Sequence, residues 1–159
     1  MSMARAEPID AATIWRNCRE PLPVFRHRAA AEAHELVLRG HVQLLLGDLP
    51  DPLTPGDERV VERARGFLAK DCGQSLWTAY WHLEDLAMAG RLLLPIVLGD
   101  LAHPCHWCDR FTDTTRQVRH TDRRNPAGGL RYACRPCREA HRLVAWTDDA
   151  RRAVAAATP

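Results

Sequence analysis

The chain carries two C-x-x-C pairs, "CHWC" at Cys105 and Cys108 and "CRPC" at Cys134 and Cys137, with 25 residues between them. A single such pair fits a redox dithiol, a strained disulfide or half of a metal site. Two pairs at this separation point to one metal ion, because each short turn aims two sulfurs at a common point and two turns complete a tetrahedron of soft ligands. The expected ion is Zn²⁺, bound once, and it is structural, since four thiolates leave no coordination position for water or substrate. The βαβ pattern that accompanies a redox C-x-x-C is not evident. The segment holding the pairs has too few apolar residues to fold alone, so the ion is expected to organise it.

Around the pairs, "RQVRHTDRRNPAGGLRYAC" alternates in short runs about "NPAGG", which reads as a β-hairpin with Gly128 and Gly129 in the turn. After Cys134, "RPCREAHRLVAWTDDARRAVAAA" reads as one helix with Pro136 in its first turn. Knuckle, hairpin, then helix with two ligands at its start resembles the treble-clef zinc fold; a zinc ribbon, with both pairs on hairpin knuckles, is the alternative. His103, His106 and His141 lie near the pairs, and with four cysteines available they are expected to be surface groups rather than ligands. Cys18 and Cys72 are isolated and expected to be small buried residues.

The first hundred residues are helical in pattern. Leu38, Val42, Leu45 and Leu49 form a stripe along one helix face, with Gly40 weakening that helix by about 1 kcal/mol relative to alanine. Thr54, Pro55 and Asp57 read as cap, first-turn proline and acidic third position of the next helix, which buries Val60, Val61, Ala64, Phe67 and Leu68. Ser75 caps another helix, expected to run until Pro95 interrupts it, and a shorter helix covers "DAATIWRNCR". Trp77 and Trp81, one turn apart and followed by Met88, read as core, with an exposed anchor as the alternative. The fold class is therefore mainly α: a helical bundle over residues 1–102 and a small zinc module with hairpin and terminal helix over 103–159.

The longest apolar run, "LLLPIVL", spans seven residues, far short of the roughly 20 a bilayer crossing needs. "MSMARAEPID" lacks the apolar core of a secretory signal. A cytoplasmic protein is expected, with no membrane partner, and six cysteines there are metal-bound or free rather than disulfide-linked.

The net charge of +2 is uneven: residues 1–102 carry −3 and residues 103–142 carry +5. Arg110, Arg116, Arg119, Arg123, Arg124, Arg131, Arg135, Arg138 and Arg142 crowd the cysteine segment, with Trp107 and Tyr132 as candidate stacking groups. Such a set suits DNA or RNA phosphates. Against this, Lys70 is the only lysine beside 21 arginines, a bias that reads as genomic composition, and a tetrathiolate zinc site subtracts charge. The leading expectation is a non-enzymatic regulatory or adaptor protein acting on a protein partner, with nucleic-acid binding as the alternative. A third reading is an HNH-like nuclease using His120 and His141. It lacks the expected middle asparagine, Asn125 coming too early, and no acidic residue directly precedes His120. No nucleophile–base pairing, glycine-rich phosphate loop or HExxH-type motif is present.

"LRGHVQLLLGDL", the helix after it and "WTAYWHLEDLAMAGRLLL" resemble an uncharacterised family of small helical actinobacterial proteins, some from natural-product loci, over about residues 28–98. "CHWC…GGLRYACRPC" is similar to short zinc modules of the same kind of organism. The resemblance implies an accessory or regulatory protein; Arg39, Gly40 and His41 match its motif without an assigned role.

Overall fold

A computed structural model describes residues 8–19, 21–121 and 129–146. It is mainly helical and divides into two compact units, Met1–Ile96 and Val97–Pro159.

The first unit is built by four helices: α1 (Ala11–Cys18), α2 (Arg28–Gly47), α3 (Pro55–Leu68) and α4 (Leu76–Leu98), the last running two residues into the second unit. Side chains define their starts. The Asp10 carboxylate accepts from the Thr13 N–H, and the Ser75 hydroxyl accepts from the Thr78 N–H. Thr54 and Asp57 form the reciprocal capping box that their spacing predicts, with Pro55 in the first turn. Leu38, Val42 and Leu45 of α2 are fully buried, as are Leu83, Leu86, Leu93 and Leu94 of α4, and Val61, Ala64 and Phe67 of α3 are buried too. Each such leucine contributes about 1.5–3 kcal/mol by leaving water. Gly90 lets α1 approach α4: a Cβ there would lie 2.5 Å from the Cys18 Sγ.

Pro95 does not end α4, which continues to Leu98. Proline removes one hydrogen bond and crowds the preceding turn, but it stands only three residues from the helix end, beside the buried Leu93 and Leu94. Trp77 and Trp81 are not core either. They are 68% and 53% exposed and meet edge to face with ring centroids 5.5 Å apart.

Two arginines of α2 hold the α3–α4 connection. Arg39 donates to the Leu68 carbonyl at 2.6 Å and also to that of Lys70, while Arg28 donates to the Gly73 carbonyl at 2.6 Å. Arg39 also pairs with Glu35 at 2.7 Å, and both reach the Nε2 of His82, which is 4% exposed. Burial first, and then the Arg39 charge, hold His82 below its ordinary value of 6.5, against the opposing pull of Glu35. Cys72 is half-buried at this cluster, its Sγ 3.4 Å from the Arg28 guanidinium, rather than a core residue.

The second unit contains a 3-10 turn (Gly99–Ala102), β1 (Arg116–His120), β2 (Gly129–Ala133) and α5 (Arg135–His141). The strands pair antiparallel with Arg116 opposite Ala133 and His120 opposite Gly129. The connecting turn, including Gly128, lies outside the described residues. The Asp100 carboxylate accepts from the Gln117 N–H at 3.1 Å and so ties the 3-10 turn to β1. The terminal helix is shorter than its pattern predicts. It closes at His141, where Arg142 turns left-handed (φ 53°), and the Leu143 N–H returns to the Arg138 carbonyl. The chain then extends so that Ala145 bridges to Val118, both of them buried; residues 147–159 lie outside the described set.

His34, His41 and His82 all titrate below 6.5 in the folded chain, with burial the largest cause in each case. The unfolded chain therefore takes up these protons first, and stability falls as pH drops below about 6.5. Urea midpoints should decline between pH 7 and pH 5, and His82→Asn should flatten part of that slope. Unchanged midpoints across this range would contradict the burial of these rings.

Candidate metal centre

The first cysteine pair sits on a tight turn. The Asp109 N–H donates to the Cys105 carbonyl at 2.8 Å and the Cys105 N–H to the Arg110 carbonyl at 2.9 Å, with Asp109 in the left-handed region (φ 55°). Aspartate tolerates this conformation better than most residues with a side chain. The His106 N–H donates to the Tyr132 carbonyl at 2.8 Å, fastening the turn to β2. The second pair comes from a helix start. Cys134 is the N-cap of α5 and Cys137 lies in its first turn, three residues on and so on the same face. The Arg138 N–H closes that turn on the Cys134 carbonyl at 2.9 Å, and the Arg135 N–H donates to the Thr114 hydroxyl at 3.2 Å. This order of turn, hairpin and helix start is the treble-clef layout rather than that of a ribbon.

All four sulfurs lie within 4.8 Å of one another, Cys105 and Cys134 being buried and Cys108 and Cys137 nearer the surface. Cys108 and Cys134 have their sulfurs 3.8 Å apart. A tetrahedron with metal–sulfur bonds of ~2.3 Å has an edge of about 3.8 Å, so this spacing suits one ion coordinated by four thiolates. The sulfurs differ electrostatically. Burial raises the Cys105 thiol, but amide N–H groups of Cys134, Trp107 and Cys108 outweigh it and bring its pKa down to about 6. Cys137 is pushed up to about 12, by burial first and then by the three neighbouring sulfurs. Complete ionisation of the set thus requires a cation among the sulfurs.

Among the described residues no histidine joins this group. His103 stacks on Tyr132 with centroids 3.9 Å apart and rings 17° from parallel. His106, His120 and His141 each meet the Trp107 indole, at 5.3, 5.4 and 5.7 Å. The two histidines of the nuclease reading therefore lie on one tryptophan; Asn125 is outside the described residues. Trp107 and Tyr132 are both half-buried against imidazoles.

The arginines are spread over the unit. Arg110 follows the first turn, Arg116 and Arg119 lie on β1, Arg131 on β2, Arg135 and Arg138 on α5, and Arg142 just beyond it. All but the half-buried Arg138 are exposed. Arg123 and Arg124 are outside the described residues. No ion pair between described residues joins any of these seven to a carboxylate. Arg116 donates to the carbonyls of Asp113 and Thr115, and the Arg119 guanidinium lies 4.6 Å from the centre of the Trp146 ring. Trp146 was absent from the residues that the sequence singled out; its place beside Arg119 follows from the turn after α5, which the helical pattern conceals.

No protein-family model, curated protein or solved structure matches the chain.

Replacing Cys105 or Cys137 by serine should abolish metal retention and make the second unit protease-sensitive, because site formation and folding share one free energy, about 10–16 kcal/mol in zinc-finger peptides. Far-ultraviolet circular dichroism should keep most of its helical signal, carried by α1–α4. A serine variant with wild-type metal content and proteolytic pattern would contradict the four-sulfur site.

Proposed function

We propose that the protein is a non-enzymatic zinc-binding adaptor or regulator, whose second unit is pinned by one structural Zn²⁺ on Cys105, Cys108, Cys134 and Cys137 and engages a protein partner. Zinc is the choice because an all-sulfur tetrahedral donor set suits it and leaves no open position for catalysis. The observation that carries the partner reading is the exposed group beside β1. Arg119 packs on Trp146, which is 37% exposed, and stands opposite Leu130, which is 49% exposed. A tryptophan and an arginine side by side at the surface match the composition of interface hot spots. The positive charge of the segment favours an acidic partner surface.

A second reading is nucleic-acid binding, favoured by arginines with no carboxylate partner among the described residues. The two readings separate experimentally. Zinc-loaded protein should capture a defined protein from its host in stoichiometric amounts, and Arg119→Glu or Leu130→Asp should lose it while retaining zinc. Fluorescence anisotropy with random duplex DNA, single-stranded DNA and RNA from about 50 to 300 mM salt should show no saturable binding. Tight, steeply salt-dependent nucleic-acid binding without a protein partner would overturn the adaptor reading in favour of the second.

A further inference from the structure

Helix α2 is apolar on two faces. Its inner face buries Ala31, Leu38, Val42 and Leu45. On its outer face Leu36, Val37 and Leu44 stand 73%, 41% and 46% exposed, and Glu32 and Gln43 are the only exposed polar residues of the helix. A surface helix ordinarily turns charged and polar side chains outward along its whole length. The exposed residues Ala33, Val37, Gly40, Leu44 and Gly47 follow one another at alternating steps of four and three. That spacing repeats every half-turn short of the helix period and is the seam along which one helix packs on another.

The chain's own packing does not call for glycine on this seam. A Cβ at Gly40 or Gly47 would meet no atom within 4 Å, and neither adopts the positive φ of Gly73 and Gly99. Glycine inside a helix costs about 1 kcal/mol relative to alanine. What it supplies here is room for a side chain brought from outside. The seam is complementary to itself. In an antiparallel pair of α2 helices, the register that sets Leu44 opposite the second copy's Gly40 also sets Val37 opposite its Gly47, and a two-fold axis repeats both contacts. Each layer then joins a branched side chain to a glycine. Gln43 falls beside the axis, next to its own copy, where an amide can both donate and accept. Glu32 lies toward the far end of the helix, already paired with Arg28 at 2.6 Å. With no exposed charge at the centre, self-pairing meets no like-charge repulsion there.

We propose that the outer face of α2 pairs with the same face of a second copy of this chain, antiparallel about a two-fold axis level with Val42. Neither the four cysteines nor Arg119 takes part. With its 20 residues α2 is about 30 Å long and about 10 Å wide, so each copy offers on the order of 300 Å². A standard stable interface buries roughly 800 Å² per partner. The pair is therefore a weak dimer, governed by concentration in the micromolar range.

The test is sedimentation equilibrium of the full zinc-loaded chain from about 1 to about 500 µM, the span over which an interface of this size dissociates. The wild-type chain should pass from monomer to dimer. Leu44→Glu should raise the dissociation constant about a hundredfold, about tenfold for each of the two symmetry-related contacts. Gly40→Leu should weaken the dimer as much, although it adds apolar surface, because it fills the space that receives Leu44. Exchanging the two residues, Gly40→Leu together with Leu44→Gly, should restore dimerisation. Both positions are exposed, so circular dichroism should show the same helix content in every variant. A wild-type chain that stays monomeric throughout would overturn the proposal and leave this face to a different protein. A Gly40→Leu chain that dimerises as tightly as wild type, or more tightly, would overturn it as well, by showing an unspecific apolar contact. An exchanged chain that remains monomeric would overturn the antiparallel register.

Discussion

Four thiols held within 4.8 Å of one another repel as soon as more than one ionises, and the second unit depends on how that repulsion is relieved. Backbone amides around Cys105 stabilise one thiolate. A cation held among the sulfurs would relieve the rest. Little else could hold this unit, because its strands have five residues each and its helix seven. Among the described residues of this unit, the buried apolar side chains besides the cysteines are Ala102, Val118, Ala133 and Ala145, all small. In such a small unit a metal bound by the four cysteines would stand in for a core.

The cysteine site was legible because its ligands are two local turns. Each C-x-x-C fixes its own geometry, and the number of residues between them leaves one sensible closure. Helix starts were legible for the same reason: the Thr54–Asp57 box and the Ser75 cap act over three residues. What the sequence concealed is set by contacts between distant segments. Apolar periodicity continues through residues 143–146, yet Ala145 is worth more as a bridge to Val118 than as another helical turn. Trp77 and Trp81 carry the hydrophobicity of core residues but lie on an exposed face of α4. Arg39 looked like one basic residue in a leucine-rich helix, and two of its hydrogen bonds go to carbonyls about thirty residues away.

Polar groups serve two different ends in the chain. Around Arg39, Glu35 and His82 every group finds a partner within the chain, which gives the α3–α4 connection a fixed path. The four cysteines instead gather sulfur donors that a cation would bridge. Satisfied networks hold structure; unsatisfied ones mark where something from outside belongs.

The most direct test of the central claim is an anaerobic titration of the metal-free chain with Co²⁺, which reports ligand type and geometry through its visible spectrum. Tetrahedral coordination by four thiolates predicts intense d–d and sulfur-to-metal charge-transfer bands that saturate at one ion per chain and vanish when one equivalent of Zn²⁺ is added. Weak bands of octahedral Co²⁺, or no saturation at one equivalent, would contradict the four-cysteine site and with it the account of how the second unit folds.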